Sequence, residues 1–202
     1  MKHLLAVVSL ALLLTGCSGM RLVESQVKAV ATQAAGQPIE AGARYRFERL
    51  PSQTSEPHTE QVEAIAEAEL AEVGLVRDDT AARYSVQISA RMQSYLVDQW
   101  GRPVDSGRVH GSIMIGSGSM GSMIGLGVGM GMGFPPPTQY RHEATLLMRE
   151  LASGQVVYET SATHEGPWSD SDNILRALFA AALKDFPNPP PGTRRVKVEI
   201  PR

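Results

Sequence analysis

In a chain of 202 residues with one cysteine, covalent sulfur chemistry has a single address. Cys17 is that residue, and because the thiolate is a strong nucleophile at an accessible pKa, any attachment through sulfur must run through it. No disulfide can form within the chain. Thioethers are more plentiful: Met114, Met120, Met123, Met130 and Met132 fall in one short segment, and their soft sulfur suits Cu(I). His142 and His164 lie on what read as the two arms of a hairpin, where facing imidazoles could share a metal or respond to pH. Their strands read as solvent-exposed at those positions. His58, Asp170 and Asp172 form no recognisable spacing, and the stretch from Ser52 to Ser55 lacks a nucleophile-elbow pattern. No catalytic group, cofactor motif or complete metal-ligand set emerges, so the expectation is a protein that is not an enzyme.

What positions Cys17 is the segment before it. Lys2 supplies a basic start, Leu4 to Leu14 is apolar but for Ser9, and Thr15-Gly16 gives a small-residue exit, which is the layout of a secretory signal. The apolar run is shorter than the about 20 residues needed to span a bilayer. The tetrad Leu14-Thr15-Gly16-Cys17 resembles the lipobox of bacterial lipoproteins. That resemblance implies a diacylglyceryl group on Cys17, cleavage before it, and a mature N-terminus held to a membrane by acyl chains. Each buried CH₂ contributes about 0.8 kcal/mol, so two or three chains hold far better than one. Ser18, in place of the Asp that retains such proteins at the inner membrane, implies the outer membrane, facing the periplasm.

Residues 1–16 thus read as a signal peptide, 17–42 as lipidated N-terminus, tether and candidate edge strand, 43–187 as one domain, and 188–202 as a Pro-rich connector with a candidate terminal strand. With 19 basic and 21 acidic residues, no strong positive field exists to recruit nucleic acid.

Hydrophobic period supplies the elements. Val23, Val27, Ala29 and Ala31 alternate with Glu24, Gln26 and Lys28, the pattern of a half-buried strand, although the alanines also permit a helix, and Tyr45, Phe47 and Arg49 alternate with Arg44, Arg46 and Glu48 up to Pro51. Thr59 is placed to cap a helix whose apolar side is Val62, Ile65, Ala66, Leu70 and Val73, whose solvated side is Glu60, Glu63, Glu67 and Glu72, and which Gly74 closes. Tyr84, Val86, Ile88, Ala90 and Met92 make the cleanest strand, completing a βαβ-like unit. Tyr140 to Arg149 and Val156 to Thr160 form a hairpin turning at Gly154, in a register that pairs Ala144 with Ala162 and Met148 with Tyr158. Ser169 to Asn173 open a second helix, with Ile174, Leu175, Leu178, Ala181, Ala182 and Phe186 on its apolar face and Pro187 as its stop. Val196, Val198 and Ile200 alternate as a last strand. Trp100 and Trp168 lie at strand or loop ends, where each is expected to cover a core edge. Two amphipathic helices and alternating strands predict an α+β two-layer sandwich, a mainly antiparallel sheet with both helices on one face.

The segment 111–137 stands apart, with nine glycines from Gly111 to Gly133 and no charge before Arg141. So much glycine disfavours a helix, and unpaired backbone cannot face lipid, so the segment reads as a flexible loop. It can be a tolerant surface insert, an adaptable hydrophobic contact for a partner, a trap for a soft metal or, least well supported without a following Gly-Lys-Ser/Thr, a phosphate cradle.

Taken together, the lipobox, Tyr45-Arg46-Phe47 before a polar loop, Glu72-Val73-Gly74-Leu75, Ala82-Arg83-Tyr84-Ser85-Val86, the Gly-rich insert and Ser153-Gly154-Gln155-Val156-Val157-Tyr158 resemble the lipoprotein family known as domain of unknown function 4136. The resemblance runs over about residues 20 to 187. Arg83 departs from it, standing where an acidic residue is usual, as does the methionine content of the insert. Membership implies an α+β periplasm-facing domain and carries over no functional residue except Cys17. The expected function is a non-enzymatic binding or scaffolding module that meets another envelope protein through the Gly/Met-rich loop. The other reading is a carrier or sensor for a soft metal ion or small lipophile.

Overall fold

In a computed structural model of the chain, residues 19–32, 39–51, 53–54, 56, 58–98, 100–104 and 137–201 can be described. Cys17 and all of the Gly/Met-rich insert but Pro137 lie outside them.

The period-2 segments become strands β1 (Met20–Ala31) and β2 (Arg44–Phe47) and, after a two-residue strand that the period did not announce, β3 (Val76–Arg77), strands β4 (Tyr84–Leu96), β5 (Thr138–Glu150), β6 (Val156–Gly166) and β7 (Thr193–Pro201). They join in one sheet of order β3-β2-β4-β5-β6-β1-β7. Pairing is parallel around β2 and antiparallel elsewhere. Helices α1 (Thr59–Glu72) and α2 (Ser171–Leu183) pack side by side on one face, α1 over β3 and β4, α2 over β5, β6, β1 and β7. The α+β sandwich read from the sequence is what the chain forms.

Alternation decides the two faces, since successive strand residues point to opposite sides. Val23, Val27, Tyr84, Val86, Leu146, Met148, Tyr158 and Ala162 line the covered face and are buried with Leu70, Ile174, Leu178 and Phe179 from the helices. Glu24, Gln26, Arg91, Arg141, Glu159, Glu165, Arg195 and Lys197 cover the open face in solvent, as an antiparallel sheet with one wet side requires. A cleft of about 290 Å³ lined by Leu50, Gln53, Gln87, Ser89, Arg91, Glu143 and Thr145 lies on that side.

Several local expectations are corrected. β1 is no edge strand: it pairs with β6 on one side and β7 on the other, because the C-terminal strand returns to cover it. Thr59 does not cap α1; its hydroxyl donates to the Gln53 carbonyl at 2.8 Å, and His58 takes the N-cap position with no side-chain cap bond. Glu63 is not on a solvated face. It is 4% exposed and receives a two-pronged bond from Arg49, at 2.6 and 2.8 Å, the planar fork that makes a buried carboxylate tolerable. Helix α2 stops at Leu183, ahead of Pro187. The Ala182 carbonyl near its end accepts from Tyr158 and Thr160 hydroxyls at 3.2 and 3.0 Å. Phe186 then leaves the helix and packs edge-on against Tyr158, 4.9 Å between rings.

A buried imidazole row as the candidate functional site

The hairpin supplies the first two members. Its register pairs Ala144 with Ala162, Met148 with Tyr158, and therefore His142 with His164. The same register carries a consequence that overturns the expectation of exposed histidines. His142 and His164 share a face with the buried Ala144, Leu146 and Ala162, so they point under the helices and are 1% and 5% exposed.

The row continues on both sides. Met92 of β4 pairs with His142. Gln26 of β1 pairs with Thr163, so Ser25, fully buried, is level with His164. Met92, His142, His164 and Ser25 thus form one line across four neighbouring strands, beneath the first turn of α2, where the Ser171 hydroxyl lies 3.4 Å from the Met92 sulfur.

Hydrogen bonding fixes one ring. The His164 Nδ1 lies 2.8 Å from the Glu24 carbonyl oxygen, which can only accept, so Nδ1 carries the hydrogen and donates. In the neutral ring this leaves Nε2 as a bare lone pair. Among the described residues, that Nε2, both ring nitrogens of His142 and the Ser25 hydroxyl have no hydrogen-bond partner while buried. A buried polar group left unmatched costs about 1–3 kcal/mol, so four together call for a reason. Burial, reinforced by the charges of His164 and Arg21 and opposed by Asp170, pushes the His142 pKa down to about 4. That ring is neutral at neutral pH.

Trp168, just past β6, lies flat against His164, with planes 4° apart and centroids at 6.1 Å. The Arg21 guanidinium sits 5.0 Å over the same indole and bonds Asp170 at 2.5 Å. Burial alone would raise the Asp170 carboxyl, but bonds from Asn173 and Arg21 outweigh it and hold the group below its usual range. Gly166 completes the wall: a Cβ added there would come within 2.9 Å of His164 Nε2. The space beside that nitrogen exists because the residue is glycine.

Of the other sequence candidates, Trp168 covers the row as expected. Trp100 does not cover the core; it is 70% exposed, with the Arg102 guanidinium 5.1 Å over its ring. His58 and Asp172 are not brought to the row. Cys17, Met114, Met120, Met123, Met130 and Met132 fall outside the described residues. Among those described, no group of three His, Cys, Asp or Glu side chains converges as a metal cluster, and no helix is long and apolar enough to cross a membrane.

Ser25 and Met92 went unnoticed as partners of the histidines. Their signal was present in the alternation, since each has the parity of the covered face of its own strand, Ser25 fully buried and Met92 half-buried.

With fold and row in view, comparison with known proteins is direct. The family described as Domain of unknown function (DUF4136) matches residues 30–188. The chain belongs to that family. In this DUF4136 chain the matched span takes in the imidazole row except Ser25, and both helices. Among solved structures, a PDZ domain protein from Parabacteroides distasonis is similar at 12% identity and a TM-score of 0.50, over 95% of this chain and 41% of that one, a likeness of fold. A PelC dodecamer from Paraburkholderia phytofirmans is similar at 16% identity and a TM-score of 0.44, over 79% of this chain and 94% of that one. No curated protein matches the DUF4136 chain.

Proposed function

We propose that this DUF4136 protein is a non-enzymatic binding or scaffolding module of the cell envelope, held through acyl chains on Cys17 to the outer membrane and facing the periplasm. One observation carries the reading: the chain enters the sheet at the same rim from which the insert departs. β1 begins at Met20, three residues after Cys17. By strand direction and register, Met20 shares its end of the sheet with Gly166, Thr138 and Leu96. The chain leads to the insert after Val104 and is described again from Pro137, both bonded to that rim through Val104 N–H to Leu96 O at 2.9 Å and Val97 N–H to Pro137 O at 3.1 Å. An anchor at Cys17 therefore holds toward the membrane the rim from which the Gly/Met-rich segment departs, and its methionine side chains suit an apolar protein partner.

The test is a photoreactive residue at Met123 in cells, with a second at Leu151, on the opposite end of the sheet and 38% exposed. A discrete protein adduct from Met123, absent from Leu151 and lost in the Cys17→Ser chain, is the expected result. Adducts with lipid alone, or a Cys17→Ser chain that still sediments with vesicles, would overturn it.

The other reading, a carrier or sensor for a soft metal, gains one specific support: two buried imidazoles with unmatched nitrogens.

A further inference from the structure

Met92, His142 and His164 stand level on consecutive strands with their side chains on the covered face. Strands lie about 4.8 Å apart, so an ion above the central His142 is within reach of the long, unbranched Met92 on one side and of His164 on the other. The donor set is defined atom by atom. His164 offers Nε2, its ring oriented by the Nδ1–H bond to the Glu24 carbonyl, which is how a backbone carbonyl prepares an imidazole ligand. His142 offers a ring nitrogen with no other partner among the described residues, and Met92 a thioether whose sulfur takes a long bond from the Ser171 hydroxyl at 3.4 Å. Gly166 keeps side-chain atoms away from the His164 lone pair.

The charge balance and donor types select the ion. An imidazole that ligates through a lone pair and a thioether bring no negative charge, and the nearby Asp170 carboxylate is already engaged by Arg21 and Asn173, so among the described residues of the row no free carboxylate offsets a double charge. Calcium and magnesium require oxygen ligands, and structural zinc requires four nitrogen, sulfur or carboxylate donors. Two imidazoles and a thioether suit a soft monovalent d¹⁰ ion.

We propose that His142, His164 and Met92 form an internal Cu(I) site beneath the first turn of α2. The site lies wholly within the described residues and is distinct from the methionines of the insert. It is also independent of the lipid anchor, so it can be tested in a chain that lacks the anchor.

The experiment uses the full chain carrying Cys17→Ser, so that no thiol competes, in detergent under anaerobic conditions, with Cu(I) shared between protein and a chromogenic chelator. One equivalent should be retained. Met92→Leu, which conserves volume, should weaken retention at least tenfold, and His142→Leu or His164→Phe should bring it to background. Replacing the five insert methionines by leucine should leave it unchanged. In a Trp100→Phe background, Cu(I) should quench Trp168 emission with the same stoichiometry, because that indole stacks on His164. Should the histidine variants fail to fold, Met92→Leu and the quenching titration decide. The proposal is overturned if no Cu(I) is held against the chelator, if Met92→Leu retains it as tightly as the parent, or if retention is lost only with the insert methionines.

Discussion

A histidine buried among aliphatic side chains couples folding to protons. The ring of His142 titrates near 6.5 in an unfolded chain and near 4 in the folded one, so the unfolded state binds more protons between those values. The stability tied to the neutral ring is complete above about pH 6.5 and is lost on acidification through pH 4, a change of about 2–3 kcal/mol. Urea midpoints measured from pH 7.5 to 4 should fall accordingly, and the slope should flatten in His142→Leu. An unchanged slope in that variant would place the proton uptake elsewhere. The hairpin register was legible in the residues, since Ala144, Leu146 and Met148 face Ala162, Thr160 and Tyr158. What was misread was the face. Histidine is intermediate in its tendency to be buried, so its type did not give the face away, yet period 2 leaves it no freedom to leave the side its neighbours bury.

At the level of elements, the end of α1 shows local sequence writing local structure. Gly74 has φ +85°. Its N–H bonds the Ala71 carbonyl at 2.9 Å, and the Leu75 N–H bonds Leu70 at 3.0 Å. The two bonds make the paired closure that a left-handed residue allows, with Leu75 buried behind it. A Cβ at this position would touch only Ala41, at 3.7 Å, so Gly74→Ala should cost about 1–2 kcal/mol through backbone conformation alone. Chemical denaturation checks this, and a loss beyond about 3 kcal/mol would show that packing is also disturbed. The start of the same helix went the other way. Thr59 has a capping side chain, but a loop carbonyl at Gln53 captures its hydroxyl. Glu63 sits on a charged stripe, but Arg49 arrives from outside the helix to pair with it. Neither partner is within reach of a reading confined to helical spacing.

For the molecule as a whole, the described strands on either side of the insert already pair with each other. Leu96 and Thr138 are already partners, and Val97 bridges Pro103 at the insert's root. Replacing residues 105–136 by a linker of about four residues shortens that loop roughly eightfold, which lowers the closure entropy by about 2 kcal/mol. The shortened protein should therefore be as stable as the parent or up to that much more stable by thermal unfolding. A large fall in Tm would mean that the segment contributes to the core. The same rim gathers the entry of β1, Trp168 and the imidazole row, so surface and buried candidates converge on one end of the sheet.

The sequence by itself determined both helices and every strand but β3, the hairpin register, the helix stop at Gly74, the α+β class and the family, because these follow from period, backbone conformation and short motifs within a few residues of one another. Only the tertiary structure decided that β1 lies inside the sheet, that Glu63 finds Arg49, that Trp168 stacks on His164, and that Met92, His142, His164 and Ser25 stand in one row. All but the Trp168–His164 stack, which spans four residues, join positions far apart in the chain, and their distances are set by strand order and by which face the helices cover.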